Sequence, residues 1–333
     1  MSISRRTFIA AATASTLLPG RLAAQADRFA SAAARARSLD QLHSLIVLQN
    51  GDIQIEERLR GPALDTPANI KSVSKTIVAT LTGIAIDKRV IDSVNSTIVD
   101  IAPDLLPRSA DPRTADITVE DLITLRAGLE RTSGPNYGPW VSSSNWVANA
   151  LARPLVADPG TQMLYSTGST HILGALLARA SGDSLLTLAR NWLGTPLGID
   201  IPAWTRDPQG FYLGGNEMAL SPRAMARFGD MIRQRGVWNG TRVLSKAWID
   251  QSLTAVTRSP WSGLGYGYGW FIGRASGHNY ALARGYGGQI ITVVPDLALT
   301  IAITSDPTRP ARSGGYFGDL QRLIETDIIA NAT

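Results

Sequence analysis

The spacing of apolar residues changes period twice along this chain. Residues 43–49 and 53–59 are strand-like runs flanking Asn50-Gly51-Asp52, a combination that predicts a β-hairpin. Further on the period lengthens. Val73, Ile77, Leu81, Ile84 and Ala85 recur at helical spacing through a stretch without proline, predicting a helix over 72–88. The same spacing predicts helices at 119–126, 145–152, 169–181, 185–193, 222–235 and 246–253, separated by loops rich in proline, glycine and asparagine. Strand patterning then returns at 266–273, 280–283, 289–294 and 298–304, with Pro295-Asp296 as a turn. An alanine- and arginine-rich helix near 27–38 precedes the first strand. A helix marked by Tyr316, Phe317, Leu320, Leu323, Ile324 and Ile328 closes the chain.

Strands at both ends with helices between them predict an α/β (α+β) fold. Its antiparallel sheet, flanked by helices, is built from 27–71 and 256–333, and a mainly helical domain, 72–255, is inserted with the residue-72 helix at the interface. The junction is the natural place for a ligand cleft.

The first 26 residues change this picture, because they read as an address. Ser4-Arg5-Arg6-Thr7-Phe8-Ile9 is a twin-arginine pattern, an apolar run extends from Phe8 to Leu18, and Ala24-Gln25-Ala26 offers a small-residue cleavage site. The expected partner is therefore the bacterial twin-arginine export machinery, and the expected location is periplasmic or secreted. The apolar run is too short for a stable membrane span, which needs about 20 residues in a helix. Loss of this leader leaves 29 basic against 27 acidic residues, a net charge of +2. That balance, with scattered arginines, gives no reason to expect nucleic acid. The chain has no cysteine, and His43, His171 and His278 lie far apart without metal-ligand spacing. No metal and no cofactor are expected.

The chemistry that remains centres on Ser72-Val73-Ser74-Lys75. Residues three apart share a helix face, so the Lys75 amine can reach the Ser72 hydroxyl. Near a helix N-terminus, unpaired N–H groups and the positive end of the dipole favour a developing oxyanion. The competing reading of these four residues alone is a capping serine beside a solvated lysine.

Taken with Tyr165-Ser166-Thr167 and the strand-helix-strand order, this motif resembles the serine β-lactamase and penicillin-binding-protein superfamily over residues 40–330. Within it, the likeness is to class C β-lactamases, related esterases and 6-aminohexanoate-dimer hydrolases. Supporting segments, in order, are Ile117-Thr118-Val119, Gly128-Leu129, Pro159-Gly160, Met218 to Gly229, Tyr266 to Trp270 and Gly287-Gly288-Gln289. The resemblance implies that Ser72 attacks a carbonyl to form an acyl-enzyme, with Lys75 and Tyr165 moving the proton. Which of the two is the base stays open. It also implies an oxyanion hole from the N–H groups of Ser72 and Tyr286, and substrate contacts from Tyr137, Thr167, Gly285 and Gly287. A phenol needs a nearby cation to act as base near neutrality, and Lys75 is expected to supply that field.

Two departures bear on the substrate. The Lys-Thr-Gly strand of the superfamily reads Ala283-Arg284-Gly285, and the Tyr-x-Asn of class C enzymes reads Tyr165-Ser166-Thr167. The cation for a β-lactam carboxylate and the amide for its side chain are both missing. Arg284 is a candidate replacement, although its neighbours along the strand point to the opposite face. The expected substrate is a small-molecule ester, amide or peptide, with hydrolysis of an ester or linear amide favoured. Alternatives are a class C-like β-lactamase, a D-alanyl-D-alanine carboxypeptidase, or a catalytically idle cell-wall-binding protein. The segment from Gly134 to Trp140, with Trp146, is expected to roof the site or to form a plain surface turn.

Overall fold

The computed structural model describes residues 28–311 and 315–332, so the leader expected over 1–26 lies outside the described residues. Strands β1 (Leu42–Gln49) and β2 (Asp52–Arg58) form the expected hairpin. Asn50 and Gly51 both take positive φ, 56° and 87°, the backbone that a two-residue turn matching the strand twist requires. The remaining strands of this sheet come from the other end of the chain. They are β3 (Thr257–Arg258), β4 (Gly265–Tyr266), β5 (Phe271–Ala275), β6 (His278–Gly285), β7 (Gln289–Val294) and β8 (Leu299–Ser305). Together they make an eight-stranded antiparallel sheet of order β2-β1-β8-β7-β6-β5-β4-β3. The two ends of the chain meet where β1 pairs with β8, Val47 lying opposite Ile301.

Both faces of the central strands are buried: every residue of β7 and β8 is buried, the small polar Thr292, Thr300 and Thr304 included. The principal helices are α1 (Ala30–Ser38), α2 (Ser74–Asp87), α3 (Thr167–Ser181), α4 (Pro222–Arg233) and α5 (Tyr316–Arg322). α1 and α5 cover one face with Phe29, Phe317 and Leu320. α4 lies on the other, and Gly229 lets it approach so closely that a Cβ there would stand 2.8 Å from both Ile291 and Thr300. Beyond α4 the helical segments pack around α2, which is buried along its length from Ser74 to Ala85. The Ile117-Thr118-Val119 segment starts one of them through a capping box between Thr118 and Asp121.

The strand expected over 266–273 is instead two strands broken by Gly267-Tyr268-Gly269. The break braces the nucleophile helix: Gly269 carries φ 81°, its carbonyl accepts the Thr76 hydroxyl at 2.6 Å, and a Cβ would stand 2.8 Å from Ala79. The helix expected over 185–193 stops at Ala189 and passes into a π turn at Arg190–Gly194. The last helix does the same beyond Arg322.

Candidate active site

Ser72 sits in a short 3₁₀ turn, Lys71–Val73, that runs straight into α2. The residue before it is strained. Lys71 has φ 50°, a conformation that costs a non-glycine residue about 1–3 kcal/mol. Two contacts hold it there: its N–H donates to the Asn69 side chain at 2.9 Å, and its ammonium pairs with Glu217 at 3.0 Å. Asn69 is itself fixed to Glu217, at 2.6 Å.

Lys75 follows one turn later, as the spacing predicts. Its Nζ lies 3.2 Å from the Ser72 hydroxyl, 3.2 Å from Thr167 Oγ1 and 2.6 Å from the Gly215 carbonyl oxygen. Three acceptors satisfy a full ammonium. A neutral amine would donate to two of them and keep a lone pair for the serine proton. Lys75 is only 3% exposed, and burial lowers its pKa to about 7.

Tyr165 lies just ahead of α3, with Lys75 Nζ 5.0 Å from its ring centroid and Phe271 of β5 stacked on it at 6.4 Å. Burial raises the Tyr165 pKa, while hydrogen bonding from Ser72 and the charge of Arg284 lower it. The Lys75 amine rests over the ring face, and Arg284 places a further cation beside the phenol.

The end of β6 closes the site from the sheet side. A Cβ on Gly285 would collide with the Ile70 carbonyl oxygen and stand 3.1 Å from the Ser72 nitrogen, so only glycine lets the strand come this near. Tyr286 is half exposed at the cavity mouth. Gly287 is a correction to the expected substrate contacts: it is a buried turn residue at φ 81°, packed against Asp306 and Pro307 and bonded through its carbonyl to Gln41. Arg284 does reach the cavity. Its guanidinium lies 4.2 Å from the Phe317 ring centroid and 5.0 Å from that of Phe271. The strand alternation holds, but the cavity wraps round the strand end and takes lining from both faces.

That cavity, of about 610 Å³, brings together Ser72, Tyr165, Thr167, Tyr137, Gly285 and Tyr286, and Lys75 borders it from beneath. Thr167 is bonded to Ser133 as well as to Lys75, at 3.0 Å, and the Tyr137 hydroxyl accepts from Asn216 at 3.1 Å. Asn216 and Phe317 belong to the lining without any site signal in their own sequence neighbourhoods, whereas Ser133 and Phe271 adjoin segments already singled out. The roof expected from 134–140 is half right. Gly134 and Tyr137 line the cavity, whereas Trp140 and Trp146 are buried against His171 behind it.

This fold is that of the β-lactamase-like proteins. Residues 43–324 match the Beta-lactamase family, and the chain belongs to it. It is similar to the 6-aminohexanoate-dimer hydrolase of Paenarthrobacter ureafaciens, 23% identical over 235 residues. The match covers 67% of this chain but 60% of that relative, so less than two thirds of its length is spanned. Among solved structures, the fold is shared with EstCE1, a hydrolase with promiscuous acyltransferase activity, at a TM-score of 0.73 and 18% identity over 93% of this chain and 99% of that one. It is also shared with a family VIII carboxylesterase, at 0.69 and 18% over 90% and 98%.

Proposed function

We propose that this chain hydrolyses an ester or linear amide through a Ser72-Lys75-Tyr165 acyl-enzyme route. The observation that carries the reading is the Lys75 amine, poised near neutrality by burial and 3.2 Å from the Ser72 oxygen. The Ser72 oxygen attacks the carbonyl carbon as its proton passes to the Lys75–Tyr165 pair. The N–H groups of Ser72 and Tyr286 take the oxyanion, and the tetrahedral species expels the alcohol or amine with that proton. Water then repeats the sequence on the acyl-enzyme. Export by the twin-arginine machinery, read from the leader, belongs to the same proposal.

Thr167 supports an ester or linear amide over a β-lactam, because its hydroxyl is committed to Lys75 and Ser133 where class C enzymes present an amide. Arg284 is the observation that favours the second reading, β-lactamase or D-alanyl-D-alanine carboxypeptidase, whose substrates carry an acidic group. Parallel assay of p-nitrophenyl butyrate, a linear amide, a D-alanyl-D-alanine peptide and nitrocefin separates them. Ester or amide turnover should exceed nitrocefin turnover, and the reverse order sinks the first reading.

The lowered lysine pKa gives a pH prediction. With Lys75 as the base, only its neutral amine accepts the serine proton, so acylation by a fluorophosphonate should rise with pH through a limb near 7 and level off above it. A limb near the ordinary lysine value would show that Lys75 is solvated in the working protein.

A further inference from the structure

Helix α3 carries a second buried polar group one turn after Thr167 on the same face. His171 is fully buried. Its Nδ1 accepts the Gly214 N–H at 3.3 Å, which places the ring proton on Nε2, and Nε2 donates to Asp207 at 3.1 Å. Asp207 is fixed in turn, its other oxygen accepting the N–H groups of Gln209 and Phe211 at 2.9 and 2.8 Å. Trp140 and Trp146 close round the imidazole with ring centroids 5.7 and 5.8 Å away. The residue after Gly214 supplies the shortest bond that Lys75 makes, to the Gly215 carbonyl at 2.6 Å. The segment is seated without slack. A Cβ on Gly214 would collide with the Thr170 carbonyl, and one on Gly215 would stand 3.2 Å from the Lys75 nitrogen.

We propose that His171 is a positioning residue for Lys75: as the Nε2–H tautomer held by Asp207, it clamps the Gly214 amide to α3 and so sets the Gly215 carbonyl against the amine. Two successive glycines have the widest backbone freedom, and the His171 bond adds a directional hold on this peptide to the close packing around it. Loss of the clamp removes an acceptor that favours the ammonium form and releases the amine from its line to Ser72. Its catalytic meaning rests on the acyl-enzyme reading, whereas its geometry does not.

Asp207→Asn tests this with almost no change of shape. The amide oxygen can still accept from Gln209 and Phe211, but its NH₂ donates to Nε2. That drives the ring proton to Nδ1, where it confronts the Gly214 N–H. ¹⁵N NMR should show the Nε2–H form in the wild type and the Nδ1–H form in the variant. Lys75, followed through its ¹³Cε resonance, should titrate lower in the variant, with Tyr165 as the titratable group facing it. At saturating fluorophosphonate, Ser72 modification should slow about tenfold or more while the half-saturating concentration holds. His171→Asn, whose oxygen takes the place of Nδ1, should stay within about threefold of wild type, and His171→Gln should not. A flipped tautomer with unchanged Lys75 titration and unchanged labelling overturns the proposal, as does a wild-type ring protonated on Nδ1. If Asp207→Asn does not fold, the Asn and Gln pair at 171 decides. If wild-type Ser72 is not labelled at all, the hydrolase reading has failed, and the Lys75 titration alone decides the role of His171.

Discussion

Ser72→Ala should abolish fluorophosphonate labelling and lower ester turnover by a factor on the order of 10⁴ or more, with the fold retained. The size follows from the kind of group removed. Deleting a nucleophile leaves only substrate positioning and oxyanion stabilisation, a small remainder of the whole acceleration. The fold should hold because Ser72 is only partly buried and the turn around it is fixed by Asn69, Glu217 and Lys71 rather than by its own hydroxyl. Unfolding temperature and labelling, measured on the same preparations, make the check. Equal turnover in wild type and variant would remove the basis for an acyl-enzyme here and leave the idle, wall-binding alternative standing.

The second large effect is expected at a residue with no side chain. Gly285→Ala places a methyl group into the Ile70 carbonyl oxygen and close to the Ser72 nitrogen, two backbone groups with no rotamer to yield. The strand end must retreat or the nucleophile turn must shift. Overpacking of this sort costs about 1–3 kcal/mol. A displacement of about 1 Å between Ser72 and the Tyr286 amide would slow acylation by about a hundredfold. Thermal unfolding and the rate of Ser72 modification should both move, the rate more steeply. A variant that labels at the wild-type rate would show that the end of β6 takes no part in holding the oxyanion.

Much of this architecture is visible in local patterning. The Asn50-Gly51 turn needs two residues at positive φ and has the two types that tolerate it best, so the hairpin is encoded on the spot. The three-residue spacing across the 3₁₀ turn and the start of α2 delivers Lys75 to Ser72. The failures are equally specific. The 266–273 run has strand composition throughout, yet Gly269 is taken from the sheet to brace Thr76 and Ala79 on another element. Gly287 occupies a motif position suited to touching substrate, but the Asp306–Pro307 segment packs over it. The trimmed helices at 185–193 and beyond Arg322 pass into π turns that apolar spacing does not foretell.

By itself, then, the order of residues determined most of the elements, the antiparallel α/β class and the Ser72–Lys75 spacing, while Tyr165 was named through the family resemblance. Tertiary structure decided what those groups experience. The Lys75 pKa near 7 arises because α3 and the Gly214–Gly215 segment, about a hundred residues away and more, bury the amine and shut water out. Arg284 acts on Tyr165 because β6 ends beside Phe271 and Phe317, a meeting of three separate segments. Hydrogen-bond spacing is short-range and can be read along one helix. Desolvation and charge are sums over everything packed nearby, and that inventory exists only once the chain has closed.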